Sequence, residues 1–216
     1  MGTVYNTNVV TDGIVAIWDA ANRKSYPTTG TAWADLTGNG NNSTLLNGPT
    51  FDSANGGSIV FDGSDDIALA SNPSITSVGT VTICIWINPT RNSGWESLVD
   101  FGNDNWLLTL EDGEIKLFDP NFSTGTTVPI GQWTHVAMSH LTGGGPFFYM
   151  NGSFIYTSSD SSLVRSFSTI SVAAGWTGSP NEAFQGKIAA VQIYDRALSA
   201  AEIAQNYNAT KGRFGL

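Results

Sequence analysis

The chain has 216 residues, of which 41% are hydrophobic and 12% charged, and its formal net charge is −9. That length suffices for one well-buried domain, while the acidic balance leaves no basic stripe to release counterions from nucleic acid and disfavours anionic membrane surfaces. No apolar run reaches the roughly 18 residues of a membrane span, and the single cysteine, Cys84, excludes an intrachain disulfide and any CxxC or zinc pattern.

The opening stretch "MGTVYNTNVVT" is polar and lacks a charged region followed by an apolar one, so no secretory signal is read in it. Residues 1–11 are expected to form an arm, and residues 12–216 a single domain. Trp18 falls in a strand pattern. The segment from about Asn22 to Asn55 is loop-rich, and a loop that long is expected to be functional or tightly bound to the surface. Next comes "GSIVFDGSDD", Gly57 to Asp66, in which an apolar run ends in Asp62, Asp65 and Asp66. It reads in two ways. Clustered carboxylates suit a calcium ion, which wants six to eight oxygens and tolerates irregular geometry. Alternatively, Asp62-Gly63 is a tight corner in which Asp65 or Asp66 accepts hydrogen bonds from backbone amides.

In "TVTICIWIN", Thr80 to Asn88, Val81, Ile83, Ile85 and Ile87 share one face. The other face carries Cys84 and Trp86, so this strand is expected to be central and covered on both sides. "LTLEDGEIKLF" (Leu108 to Phe118) and "FFYMNGSFIY" (Phe147 to Tyr156) place Asp112-Gly113 and Asn151-Gly152 between apolar runs. Such dipeptides accept the two positive φ values of a type I′ turn, which predicts two hairpins. "GQWTHVAMSH" (Gly131 to His140) and "GKIAAVQIYD" (Gly186 to Asp195) read as further strands. Ser199 followed by Glu202 is a capping box before an alanine-rich stretch, which predicts one helix of roughly two turns; its Ile203 and Tyr207 are expected to seal an edge of the sandwich. The pattern as a whole is all-β: a two-sheet antiparallel sandwich with one short C-terminal helix.

Several stretches carry a resemblance: "DGIVAIWDAAN…SYP", "GGSIVFDGSDD", "TVTICIWINP", "GQWTHVAMS", "FYMNGSFI" and "FQGKIAAVQIYDRALSAAEIAQNYNATKGRFGL". Together they cover most of the chain and resemble the laminin G-like, concanavalin A-type lectin/glucanase domains, which implies a jelly-roll sandwich. The closing "NYNATKGRFGL" and the opening "DAAN…SYP" resemble the version of this domain in virion proteins of tailed bacteriophages. That implies a non-enzymatic structural protein displayed on the particle, as a head decoration (cement) protein or a fibre component. It would be made in the host cytoplasm without a signal peptide. Its partners would be other capsid or tail proteins and copies of itself, a trimer being the expected oligomer on local threefold axes. Tyr5 and Phe214, aromatics in polar ends, would anchor such interfaces. The alternative is a carbohydrate-binding adhesin module that recognises host surface polysaccharide.

The resemblance also implies where to look for sites. Relatives hold calcium at the sandwich rim. Here Asp65 and Asp66 would contribute, joined by Asn181 and Glu182 from "GWTGSPNEAFQG", a loop with fewer acids than pentraxins carry. The corner binds calcium only if that loop folds against it. Of the seven tryptophans, Trp18, Trp86 and Trp133 are expected in the core, and Trp33 is expected to pin the long loop. Trp95, Trp106 and Trp176 lie in or beside Gly/Asn-rich segments, where an exposed ring stacks on a sugar while neighbouring Asn and Glu bond its hydroxyls. Trp176, Asn181 and Glu182 share one loop and are the first glycan candidates; the competing reading is that these rings cap the sandwich or an interface. Glucanases of this fold use two carboxylates across a cleft. The nearest pattern here, Glu111 to Glu114, straddles a hairpin turn with the wrong spacing, and His135 and His140 lack a nucleophile partner, so no catalytic residue is assigned.

Overall fold

Alternation along each strand sorts apolar side chains to one face, and in this chain two such faces meet. The computed structural model describes residues 9–71, 73, 77–102, 107–117, 122–159, 165–166, 168–175 and 182–216. One eight-stranded sheet runs in the order Ser153–Thr157, Phe147–Met150, Thr134–His140, Val81–Pro89, Gln185–Tyr194, Ser58–Asp62, Thr50–Asp52. Its eighth strand, Ile14–Asp19, pairs with the far half of Gln185–Tyr194. The second eight-stranded sheet runs Phe122–Thr127, Glu114–Leu117, Leu107–Glu111, Trp95–Asp100, Thr169–Val172, Ile67–Ser71, Ser43–Leu46, Ala32–Trp33. Ser77–Val78 and Arg165–Ser166 form a separate two-stranded piece. The pairings are antiparallel in both sheets, the two-sheet sandwich that the alternation predicts and the jelly roll that the resemblance implies.

Between the sheets lie Val81, Ile83, Ile85, Ile87, Val136 and Met138 from the first, against Leu98, Val99, Leu108, Leu110, Ile115 and Val172 from the second. Both hairpins form as expected: Asp112 and Gly113 have φ of 51° and 79°, and Asn151 and Gly152 have φ of 51° and 74°. The loop-rich segment is bound rather than free. Trp33 is fully buried, 6.4 Å from Trp18. Asp35 accepts hydrogen bonds from the Ile17 and Thr37 amides, both at 3.0 Å, and the Trp18 indole donates to the Asn41 carbonyl at 2.9 Å.

The first sheet is covered on its outer face. Cys84, Ala137, Tyr149 and Tyr194 pack there against Val10, Leu198 and Ile203. The helix spans Ala200–Thr210, 11 residues, with both capping-box bonds present. It is a turn longer than expected, because no glycine precedes Gly212 and Asn206 is held in place. Asn206 Oδ1 accepts the Val10 amide and its Nδ2 donates to the Tyr194 hydroxyl, both at 2.9 Å. Val9 and Val10, counted with the arm on sequence, are therefore buried in the domain.

Two tryptophans sit differently from expectation. Trp86 is buried, but under the helix side, where its indole donates to Thr210 Oγ1 at 2.9 Å. Trp133 precedes its strand and is half-buried, and its Nε1 donates to Asn55 Oδ1 at 3.1 Å. Phe214 lies against both rings, with centroids 4.2 Å from Trp86 and 4.6 Å from Trp133, so the aromatic expected at an interface is engaged within the chain. Tyr5 lies outside the described residues. Among the described residues, no helix is long and apolar enough to cross a membrane.

Candidate functional site

The outer face of the second sheet is built differently, and a bulge makes it so. In Trp95–Asp100, Glu96 pairs with Leu110, Ser97 with Thr109, Val99 with Leu108 and Asp100 with Leu107, with the register shifting between Leu108 and Thr109. The extra residue lets Leu98 and Val99 both enter the core. Ser97 and Asp100 are thereby returned to the same outer face. Ser171 pairs with Asp100, and Lys116 pairs with Thr109, which extends that face across four strands. The result is a polar row of Ser97, Thr109, Asp100 and Ser171, all buried. The hydroxyls of Ser97 and Ser171 have no hydrogen-bond partner among the described residues. Thr109 Oγ1 donates to the Glu96 carbonyl at 2.8 Å. At one end of the row stands Trp95, half-buried, with Lys116 Nζ 5.7 Å from its ring centroid. Lys116 is ion-paired with Glu111, which holds the ammonium above its ordinary pKa.

Of the residues singled out for glycan contact, Trp95 begins the strand Trp95–Asp100, and the backbone of Glu182 pairs with that strand two residues further on. The Glu182 carbonyl accepts the Ser97 amide at 2.7 Å. Trp106, Trp176 and Asn181 lie outside the described residues. The row itself was missed on sequence: "WESLVDF" does alternate, but the bulge breaks its period in mid-strand.

Behind the row is a buried carboxyl that sequence reasoning also passed over. Glu96 is fully buried, and its Oε1 accepts the Gln185 amide at 2.8 Å and lies 3.3 Å from Arg91 Nη2. Burial raises its pKa, opposed by the Gln185 amide and by Arg91. A glutamate inside an apolar strand was the available signal.

The acidic corner lies next to this group. Ligand oxygens of Asp62, Asp65 and Asp66 fall within 4.8 Å of one another. Three hydrogen bonds hold the corner as a turn. Asp66 Oδ2 accepts the Asp62 amide at 2.9 Å, Asp62 Oδ1 accepts the Ser64 amide at 2.7 Å, and Asn47 Nδ2 donates to the Asp65 carbonyl at 2.7 Å. Burial raises the Asp66 pKa, and the Asp62 and Asp65 charges add to it. A Cβ placed on Gly63 would lie 3.3 Å from Arg91 Nη1, so a guanidinium flanks the corner. The three carboxylates are suitable calcium ligands in kind, and with one oxygen from each they supply three ligand atoms of the six to eight that calcium takes. Glu182, expected to complete the set, bonds toward Ser97 through its backbone.

His135 and Cys84 lie on the helix side, away from this face. His135 is buried against Trp86 and Tyr207 on the helix side, and burial lowers its pKa to about 3. Burial pushes the Cys84 thiol up to about 12.

Comparison with known proteins bears on this geometry. The family profile described as the concanavalin A-like lectin/glucanases superfamily matches residues 61–204. Among solved structures, domain 4 of AbnA, a GH43 extracellular arabinanase from Geobacillus stearothermophilus in complex with arabinotriose, superposes with a TM-score of 0.70 at 20% identity, covering 91% of this chain and 98% of that one. The ligand binding domain of botulinum neurotoxin serotype D in complex with N-acetylneuraminic acid gives 0.70 at 16% identity, over 91% of this chain and 51% of the other. The receptor binding domain of botulinum neurotoxin type G gives 0.65 at 15% identity, again over 91% and 51%, so the chain spans about half of these toxin chains. No curated protein sequence matches the chain.

Proposed function

Because this chain belongs to the concanavalin A-like lectin/glucanases superfamily, we propose that it is a non-catalytic carbohydrate-binding module that takes its glycan on the outer face of the second sheet. The observation that carries this reading is the half-buried Trp95 ring beside Lys116 at the end of the polar row, behind which the buried Ser97 and Ser171 hydroxyls have no partner among the described residues. A buried hydroxyl without a partner is costly, and a sugar hydroxyl, both donor and acceptor, relieves that cost. Trp95 at the end of the row offers a ring for the apolar face of a pyranose or furanose. Arabinotriose and N-acetylneuraminic acid, bound by structural neighbours, support the ligand class. The test is a glycan array carrying arabino-oligosaccharides, β-glucans, sialylated glycans and bacterial surface polysaccharides. The wild type is expected to retain at least one class, Trp95→Ala to lose it, and the double variant Ser97→Ala/Ser171→Ala to bind it about tenfold more weakly. A wild-type protein that retains none sinks the proposal. The acidic corner is satisfied as a turn, so binding is expected to persist in EDTA.

The same module would act on the surface of a particle, as a homo-oligomeric virion component. This second reading rests on the resemblance of the chain's opening and closing stretches to tailed-phage proteins. Within the chain the two stretches are joined by Arg213, which bonds the Asp19 carboxylate at 2.8 Å. Mass spectrometry of purified virions with copy counting tests it; hundreds of copies indicate a decoration protein, a few indicate a tail adhesin, and none removes the reading.

A further inference from the structure

Four consecutive residues, Glu182 to Gln185, are each tied to the sandwich through a backbone atom. The Glu182 carbonyl accepts the Ser97 amide at 2.7 Å, and the Ala183 carbonyl accepts Arg91 Nη2 at 2.6 Å. The Phe184 amide donates to the Ala173 carbonyl at 2.7 Å, and the Gln185 amide to Glu96 Oε1 at 2.8 Å. Ala173 is held at φ 72°, a left-handed conformation that an alanine adopts only under constraint. It is fully buried, and its own amide donates to the Leu98 carbonyl at 3.2 Å. Residues 173 and 184 are therefore held together as a neck.

The neck is packed without slack. Gly186 follows at φ 152°, where a Cβ would lie 2.4 Å from the Asn88 carbonyl oxygen. A Cβ on Gly63 would lie 2.6 Å from that of Gln185. Only two side chains make these backbone ties, Glu96 and Arg91, and they also pair with each other at 3.3 Å. Glu96 is on the strand whose next residue, Ser97, belongs to the polar row. The carboxylate thus bridges the two sheets where the row meets the neck. Its second oxygen, Oε2, is buried with no hydrogen-bond partner among the described residues. This is a costly arrangement for a merely structural brace, because a neutral side chain would accept the same amide.

We propose that Glu96 and Arg91 are positioning residues for glycan binding: they fix the neck at Glu182–Gln185 and so set Glu182 beside Ser97 at the edge of the binding face. This rests on the carbohydrate-binding reading above. Neither residue touches the glycan; each acts through the backbone that it holds.

The experiment combines amide hydrogen exchange with the glycan array described above, on the full chain. Glu96→Ala should speed exchange of the Phe184 and Gln185 amides at least tenfold while leaving those of Val136 and Ile85 unchanged, and should weaken binding to the retained array class at least tenfold. Glu96→Gln, whose amide oxygen still accepts from Gln185, should restore both. Arg91→Ala should give a smaller change of the same kind. If Glu96→Ala is folded and the Phe184 and Gln185 amides stay protected, the neck is not held as proposed and the inference fails. Faster exchange with unchanged glycan affinity also overturns it, while leaving the carbohydrate-binding reading intact. A wild type that binds no glycan overturns both, and is told apart because the failure then precedes any substitution. Should Glu96→Ala not fold, Arg91→Ala against Glu96→Gln carries the same comparison.

Discussion

The two outer faces of this sandwich are made by the same strand alternation and end with opposite chemistry. On the first sheet the outward residues are Cys84, Ala137, Tyr149 and Tyr194, and a helix and the Val9–Val10 segment seal them. On the second they are Ser97, Thr109, Asp100, Ser171 and Lys116, and the helix is not there. A sheet needs apolar residues on only one face to build its core. The other face is free to take either character: here the first is apolar and sealed by the helix, and the second is a polar row, itself buried, that ends at the half-buried Trp95. Two glutamates mark the contrast. Glu202, at the helix start, is bonded by Arg196 and Ser199, which hold its carboxyl down to about 2. Glu96, behind the polar row, is raised by burial.

If the sealed face supplies stability and the polar face function, substitutions should separate the two. The largest expected effect is Ile203→Ala, which empties a fully buried site under the helix and should cost about 2–5 kcal/mol in urea denaturation, with glycan affinity unchanged in the folded protein. Asn206→Ala leaves the Val10 amide without its partner and removes the donor to the Tyr194 hydroxyl, which keeps its own bond to the Val10 carbonyl, and should cost about 1–3 kcal/mol. Ser199→Ala removes the helix N-cap and should cost about 1 kcal/mol. On the polar face, Ser97→Ala/Ser171→Ala should leave stability within about 1 kcal/mol of wild type or raise it, yet weaken glycan binding about tenfold, equivalent to about 1.4 kcal/mol. A double variant that unfolds the protein and spares binding would invert the comparison.

The glutamates give a pH test of the same division. Glu202 has a folded pKa below its ordinary 4.5, at about 2. Its stabilisation is therefore full above pH 4.5 and is lost as pH falls toward 2. Glu202→Gln should be less stable than wild type at neutral pH and converge with it in acid. Glu96 has a raised folded pKa. Its contribution is present below the unfolded pKa and is lost as pH rises through the folded one, so Glu96→Gln should not lower stability at pH 7. Thermal melts of both variants from pH 2 to 8 read the two signs directly.

What was legible in the sequence was local. Asn151-Gly152, Asp112-Gly113 and the Ser199–Glu202 box each specify their geometry within a few residues, and each formed. Period-two runs identified strands, but "GQWTHV" carried the pattern through Trp133, which lies outside the ladder beyond Gly131 at φ 71°. The site was less legible because it depends on register. Nothing within "WESLVDF" says that a bulge returns Asp100 to the face of Ser97, and only the pairing with Leu108 and Thr109 decides it. The neck is less legible still. Glu96 and Gln185 are 89 residues apart, and their contact exists only once both sheets are assembled.

The central claim is that the polar outer face of the second sheet binds carbohydrate. Amide chemical-shift mapping of ¹⁵N-labelled protein, titrated with the oligosaccharide best retained on the glycan array, tests it most directly. The account predicts shifts concentrated at Ser97, Asp100, Thr109, Lys116 and Ser171, with the helix and Tyr194 unmoved. Shifts confined to the helix-covered face, or an array that retains nothing to titrate, would contradict it.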